Sequence, residues 1–158
     1  MIQTVYVPAV PQQIERDGKK IIALAPPPIV LMQSGPVIPL RIAKPPETGD
    51  ATMPTPPSES VDVHGVIDTG AFTSVITPEI AKQLGLIQTG WQEVSSVHSK
   101  EDRPVYFAML WLPWGSAYPT KVVACNLGGN VKCLIGRDIL SHLSITYNGK
   151  EGFFTICE

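Results

Sequence analysis

The residue that invites chemistry is Asp68, in the stretch GVIDTGAFTSVIT at positions 65–77. Two β-branched residues, Val66 and Ile67, run straight into a carboxylate, and after Asp68-Thr69-Gly70 the apolar pattern resumes. A carboxylate at the end of a strand pattern either meets water in a turn or moves protons. Two carboxylates at hydrogen-bonding distance cannot both ionise cheaply, so they share one proton. The ionised member then takes a proton from a bound water while the neutral one polarises a carbonyl, which is the chemistry of amide hydrolysis. The plain alternative is an Asx-type turn closing a hairpin, where Asp and Gly are both at home. Taken alone, the three residues are a weak signal.

The elements that must position Asp68 read as mostly β. Residues 61–68 form a strand leading into it, and 35–42 form another. The Asp17-Gly18 pair inside IERDGKKII (14–22) predicts a tight hairpin. One helix is marked at its start and its end: Thr77 as N-cap, Pro78 at the first helical position, Glu79 in the first turn, and Gly85 as the stop. VYFAMLWL (105–112) and TKVVACNL (120–127) read as strands joined by a Pro/Gly turn, VKCLIGRDILSHL (131–143) as a strand entering a short helix, and EGFFTICE (151–158) as a last strand. Residues 43–60 shift to Pro, Thr, Ser and Gly with hardly any large apolar side chain, so a long exposed insertion is expected there.

With 158 residues, 44% of them hydrophobic, the chain is long enough for one domain with its own core. Sixteen prolines and thirteen glycines lie mostly between apolar runs, which favours short strands over long helices. A net charge of −2 without a basic block gives no footprint for nucleic acid. IIALAPPPIVLM (21–32) is too short and proline-rich to cross a bilayer. The opening MIQTVYVPAV lacks the basic start and unbroken apolar run of a secretory signal. Three cysteines, Cys125, Cys133 and Cys157, have no metal-ligand spacing and suit a reducing, cytoplasmic compartment. His64, His98 and His142 are too scattered to make a metal site, and no cofactor is expected. Trp91, Trp111 and Trp114 read as core or interface residues.

A second element raises the signal at Asp68. Leu134-Ile135-Gly136, followed by Arg137-Asp138-Ile139-Leu140, lies downstream of it with a helix and strands between. "DTGA" and "LIGRDIL", in that order, resemble the retroviral-type aspartic proteases, the retropepsins, and the resemblance spans about residues 35–157. It implies an all-β, closed barrel-like protomer with one or two short helices, an extension at 1–34 with a probable hairpin, and a protease domain at 35–158 carrying the insertion 43–60. It implies an aspartic endopeptidase acting on polypeptide substrates, with Asp68, Thr69 and Gly70 as the catalytic loop. Thr69 would bond across two apposed loops and hold their carboxylates coplanar, and Gly70, lacking a Cβ, would let the loops approach. No second Asp-Thr-Gly exists in the chain, and Asp17, Asp50, Asp62, Asp102 and Asp138 lack the loop. The partner is therefore Asp68 of a second copy, in a homodimer.

By the same resemblance, Gly136 passes close to the catalytic loop, and the flap that closes over substrate falls within 91–109, with its tip near Val97, His98 and Ser99. These three, with Ala71 and Ile135, would touch substrate. The viral flap is glycine-rich, whereas here no glycine lies between Gly90 and Gly115. In viral relatives an acidic residue just after Asp-Thr-Gly-Ala pairs with the arginine at 137; here Phe72 and Thr73 stand there, so Arg137 is expected to find another carboxylate or face water. Asp138 is expected to cap the following helix. The tail GFFTICE (152–158) would join an intermolecular sheet and bring Cys157 near the interface. Two other readings remain: a non-catalytic module that clamps peptides by strand addition, and a structural dimerisation domain.

Overall fold

The computed structural model of the chain describes residues 2–16, 18–46, 57–95 and 100–158. Its elements in chain order are β1 (Ile2–Tyr6), β2 (Val10–Arg16), β3 (Lys19–Ala25), α1 (Pro27–Ser34), β4 (Val37–Ala43), β5 (Ser60–Ile67), β6 (Val75–Ile76), α2 (Pro78–Gln83), β7 (Gln88–Ser95), β8 (Lys100–Trp111), β9 (Ala117–Ala124), β10 (Cys133–Ile135), α3 (Arg137–Leu140), β11 (Ser144–Asn148) and β12 (Phe153–Cys157). They fall into two compact units, residues 38–142 and residues 1–37 with 143–158. Among the described residues no helix is long and apolar enough to cross a membrane.

Residues 38–142 carry a seven-stranded sheet in the order β4-β5-β10-β6-β9-β8-β7. β4 also pairs antiparallel with β8, Arg41 opposite Trp111 and Ala43 opposite Met109, so the strand order returns onto itself. The apolar run of β8 is buried on both faces: Ala108, Met109, Leu110 and Trp111 are all buried, and Leu112 beyond them too. Gly65 marks a tight point in β5, where a Cβ would come within 2.6 Å of Leu40 Cδ2 and 3.1 Å of Ile135 Cδ1. The helix forecast from Thr77 is present as α2, with Gly85 just past its end at φ +56°. Thr77 fills the N-cap position through its extended backbone, without a side-chain cap hydrogen bond. Of the Pro-rich stretch, Ala43 belongs to β4 and Ser60 to β5, while residues 47–56 lie outside the described residues.

In the other unit, β2 and β3 form the hairpin that Asp17-Gly18 announces, with Arg16 opposite Lys19 and Gly18 at φ +70°. The three consecutive prolines at 26–28 open a helix instead of preventing one. Pro26 stands at the N-cap and Pro27 and Pro28 in the first turn, where no intrahelical N–H donor is needed. β12 lies between β1 and β11, antiparallel to both, with Cys157 opposite Ile2 on one side and Ser144 on the other. The tail strand therefore spends both of its edges within its own chain, which corrects the expectation that it pairs with a second copy. Phe154 and Ile156 are buried on one face of it.

The cysteines differ sharply in surroundings. Cys133, in β10, is wholly buried, and burial pushes its thiol up to about 12. Cys125 and Cys157 are half-buried and free. A thiolate-selective alkylating reagent at neutral pH is therefore expected to leave Cys133 unmodified in the native protein and to reach it only after denaturation, because the thiolate is the reactive form. Peptide mapping checks this; rapid native labelling at Cys133 would contradict the packing of β10.

Candidate active site

The Asp68 loop does not close a hairpin. β5 enters it and β6 leaves it, and these strands do not pair with each other; β10 runs between them. β10 is parallel to β5 (Val66 opposite Leu134, Ile67 opposite Ile135) and antiparallel to β6 (Leu134 opposite Val75). The loop 68–74 is thus a bridge over the end of β10, held from below by the strand it straddles.

The loop's first residue is fixed through its backbone, the Asp68 N–H donating to the Ile135 carbonyl at 3.0 Å. Its side chain makes the Asx turn: Oδ1 accepts the N–H of Gly70 at 2.8 Å and of Ala71 at 3.3 Å. These bonds orient the half-buried carboxylate and leave Oδ2 without a hydrogen bond from the described residues. The two readings of Asp68 therefore coexist in one geometry. One oxygen shapes the turn while the other is available.

Ala71, Phe72, Thr73 and Ser74 are held by the segment that follows β10. Arg137 N–H donates to the Ala71 carbonyl at 2.9 Å and Asp138 N–H to the Phe72 carbonyl at 3.3 Å. Gly136 N–H donates to Ser74 Oγ at 3.0 Å, and the Ser74 hydroxyl donates to Asp138 Oδ1 at 2.8 Å. Thr120 Oγ1 donates to Asp138 Oδ2 at 3.0 Å. A Cβ at position 136 would lie 2.7 Å from the carbonyl carbon of Thr73 and 2.8 Å from the nitrogen of Ser74, so the passage admits only glycine. The expected close approach at Gly136 is found, and it is approach to backbone.

Three expectations meet their outcome here. Asp138 is not the N-cap of α3; Gly136 occupies that position, and the Asp138 carboxylate instead ties Ser74 to Thr120. Arg137 is exposed to solvent and meets no carboxylate among the described residues; Nη1 donates to the Thr69 carbonyl at 3.1 Å, and the guanidinium lies 5.9 Å from the ring centroid of Phe72. Ile135, expected to touch substrate, is wholly buried, because its side chain shares the face of β10 that packs at Gly65; what it offers the loop is its carbonyl. Its neighbour Leu134 points the other way and is half-buried with Val94 against Val75, Val105 and Val123.

Thr69 and Gly70 are exposed at the top of the bridge, and Ala71 is half-buried. A Cβ on Gly70 would meet only Asp68 Oδ1, at 3.1 Å, so nothing else within the described chain crowds that position. β7 and β8 form a long antiparallel pair reaching Ser95 opposite Lys100, and Gln92 of β7 touches the loop through Nε2 to Thr73 Oγ1 at 3.5 Å. The expected tip residues Val97, His98 and Ser99 lie outside the described residues. Among the described residues no cluster of His, Cys, Asp or Glu could hold a metal ion. A cavity of about 390 Å³, lined in part by Leu40, Arg41, Asp62 and Trp111, shares no residue with the loop.

Ser74 escaped the sequence reading, though it is the best-buried polar residue of the site. Both its partners, Gly136 and Asp138, are more than sixty positions away in the chain. A serine between threonine and two β-branched residues carries no local mark of that role.

No family model matches the chain, and no curated protein matches it in sequence. Among solved structures it is similar to a retropepsin-like aspartic protease from Rickettsia conorii, with 14% identity over 99% of this chain and 91% of that one and a TM-score of 0.49. It is similar to the EIAV protease complexed with the inhibitor HBY-793, with 17% identity over 68% and 86% of the two chains and a TM-score of 0.48. The simian foamy virus (mac) protease matches with 11% identity over 67% and 92% and a TM-score of 0.45.

Proposed function

We propose that the chain is an aspartic endopeptidase that works as a homodimer of closed-barrel protomers, each supplying one Asp68. The observation that carries this reading is the bridge itself. Asp-Thr-Gly-Ala is held over the end of β10 by Leu134-Ile135-Gly136-Arg137, with Gly136 at a point where a side chain cannot fit. In this reading the water to be activated lies between two Asp68 carboxylates. Each keeps Oδ1 on its own Gly70 and Ala71 amides, so the pair meets without rotating either side chain. One carboxylate takes the proton from water as it attacks the scissile carbonyl, while the other, protonated, gives its proton to the carbonyl oxygen; as the C–N bond breaks, the first passes its newly gained proton to the leaving nitrogen and the second takes its proton back from the diol hydroxyl. Thr69 and Gly70, exposed on top of the bridge, face the second loop. The β7–β8 pair, linked to the loop at Gln92–Thr73, serves as the flap, with Val97, His98 and Ser99 at its tip and Ala71 beneath.

The competing reading, a scaffold whose aspartate only shapes a turn, has the Oδ1 bonds in its favour. A statine-type peptide separates the two. Its secondary alcohol mimics the hydrated amide, so it is expected to inhibit cleavage of unfolded protein substrates competitively and to raise the melting temperature. No inhibition and no thermal shift across a panel of such peptides would favour the scaffold.

A further inference from the structure

Trp111 is 2% exposed, and its indole Nε1–H finds no acceptor among the described residues. A buried donor is nearly always paired, so one left over calls for a reason. Trp111 is not loosely held. It stands in β8 opposite Arg41 on one side and Ala117 on the other, and it packs in a cluster with Ala43 and Met109. It also forms part of the wall of the cavity of about 390 Å³ that stands apart from the Asp68 loop.

That cavity lies wholly within residues 38–142 and has the volume of a pocket for a small organic molecule. Its depth is apolar: Leu40, Val63 and Leu112 line it and are buried. The exposed lining residues, Asp62, His64 and Pro113 among them, mark the mouth. One lip is a tight turn, in which the Leu112 N–H donates to the Ser116 carbonyl at 2.8 Å and the Gly115 N–H to the Leu112 carbonyl at 3.0 Å. The charges at the mouth are spent on each other. Arg41 grips Asp62 with two prongs, Nε to Oδ1 at 2.6 Å and Nη2 to Oδ2 at 3.2 Å. An entering anion would face the Asp62 carboxylate and have to take Arg41 from it. An entering cation would give up water with the carboxylate at the mouth already engaged.

We infer that this cavity binds a small, neutral, largely apolar molecule with a carbonyl oxygen, of the ketone, ester or tertiary-amide class, and that the oxygen accepts the Trp111 N–H. The inference does not rest on the peptidase reading, since the cavity and the Asp68 loop have no residue in common. The apolar walls take the body of the ligand out of water, and the carbonyl gives the buried indole the partner that the chain withholds. The N–H is closed to water before binding, so the oxygen reaches it by a small give in the wall and displaces no bound partner. Such a ligand leaves the Arg41–Asp62 pair intact.

The experiment is a titration of the nitrogen-15-labelled full chain, followed at the indole N–H signal of Trp111, which is assigned by elimination from Trp91→Phe and Trp114→Phe chains. The probes are acetophenone, ethylbenzene (the same shape without an acceptor), benzoate and benzylammonium, compared at equal concentrations within the solubility of ethylbenzene. Acetophenone is expected to move the signal downfield and to bind about fivefold more tightly than ethylbenzene, which is what one neutral hydrogen bond contributes. Benzoate and benzylammonium should leave the signal in place. Trp111→Phe, which keeps an aromatic ring and removes the N–H, should lower acetophenone to the level of ethylbenzene. If that chain does not fold, the four probes on wild type decide the matter by themselves. A signal that no probe moves, an equal response to acetophenone and ethylbenzene, or a folded Trp111→Phe chain that binds acetophenone as wild type does overturns the inference. Preference for benzoate or benzylammonium makes the cavity a site for charged ligands and overturns it as well.

Discussion

Replacing Asp68 by Asn is expected to lower peptide cleavage by roughly 1,000-fold or more, since general acid–base groups of this kind contribute factors of that order. The fold should survive. Asn presents a carbonyl oxygen where Oδ1 now accepts the amides of Gly70 and Ala71, so the turn keeps its two bonds and loses only their charge assistance. The change in stability should be about 1 kcal/mol or less, readable as a small shift in the denaturation midpoint. The sharper result comes from mixing. If the site is shared between two chains, a nine-fold excess of Asp68→Asn chains leaves only about a tenth of wild-type chains with a wild-type partner, by random pairing in a two-fold dimer. Activity per wild-type chain should fall in that proportion after subunit exchange, and should also fall on simple dilution as dimers dissociate. Activity that ignores the excess, or a fully active species sedimenting as a monomer, would leave Asp68 without its partner.

Gly136→Ala is expected to disturb the structure strongly for a single added methyl group. The new Cβ would meet backbone atoms of Thr73 and Ser74, not the flexible end of a side chain. To make room, either the bridge lifts or α3 shifts, and both motions break bonds that Ser74, Arg137 and Asp138 make across the gap. The cost is roughly 3 kcal/mol, at the upper end of what overpacking does, seen as an earlier unfolding midpoint in denaturant. Cleavage should be lost as well, even where the protein remains folded, because the Asp68 amide and the far end of its loop are anchored on either side of position 136. A Gly136→Ala chain with wild-type stability and activity would show that the bridge does not depend on this contact.

Local chemistry was legible and long-range satisfaction was not. Pro78 and Gly85 bracket α2 because start and stop signals act within one turn, and Asp17-Gly18 marks its hairpin for the same reason. The Pro26–Pro28 run was used only to argue against a membrane span, although proline is tolerated where these stand, at the start of a helix. Asp138 looked like a cap because an acidic residue near a helix start usually is one. Its real partners, Ser74 and Thr120, come from distant strands that no spacing rule connects to it. For Arg137 the expectation was a carboxylate or water, and the missing acid after Ala71 was visible in the sequence. That a phenylalanine ring and a carbonyl would take its place needed the loop's path. Ile135 was placed at the substrate by the resemblance, and one register step separates its wholly buried side chain from the half-buried Leu134 beside it. β1 went unread altogether, because its strand character becomes visible only beside β12.

The pairing of β1 with both edges of β12 filled has a consequence for how the chain is made. During synthesis Ile2–Tyr6 are made long before Phe153–Cys157, yet among the described residues β1 pairs only with β12. The three-stranded sheet must wait for synthesis to pass residue 157, so residues 2–6 stay without their partner while everything between them and β12 is made. Residues 38–142 carry the Asp68 bridge and all its braces within themselves. They can in principle close without β1 or β12, and the slow, high-contact-order step of folding then falls to the sheet that joins those two strands. A released chain cut short before residue 153 would keep every brace of the Asp68 loop and leave its first strand without a partner.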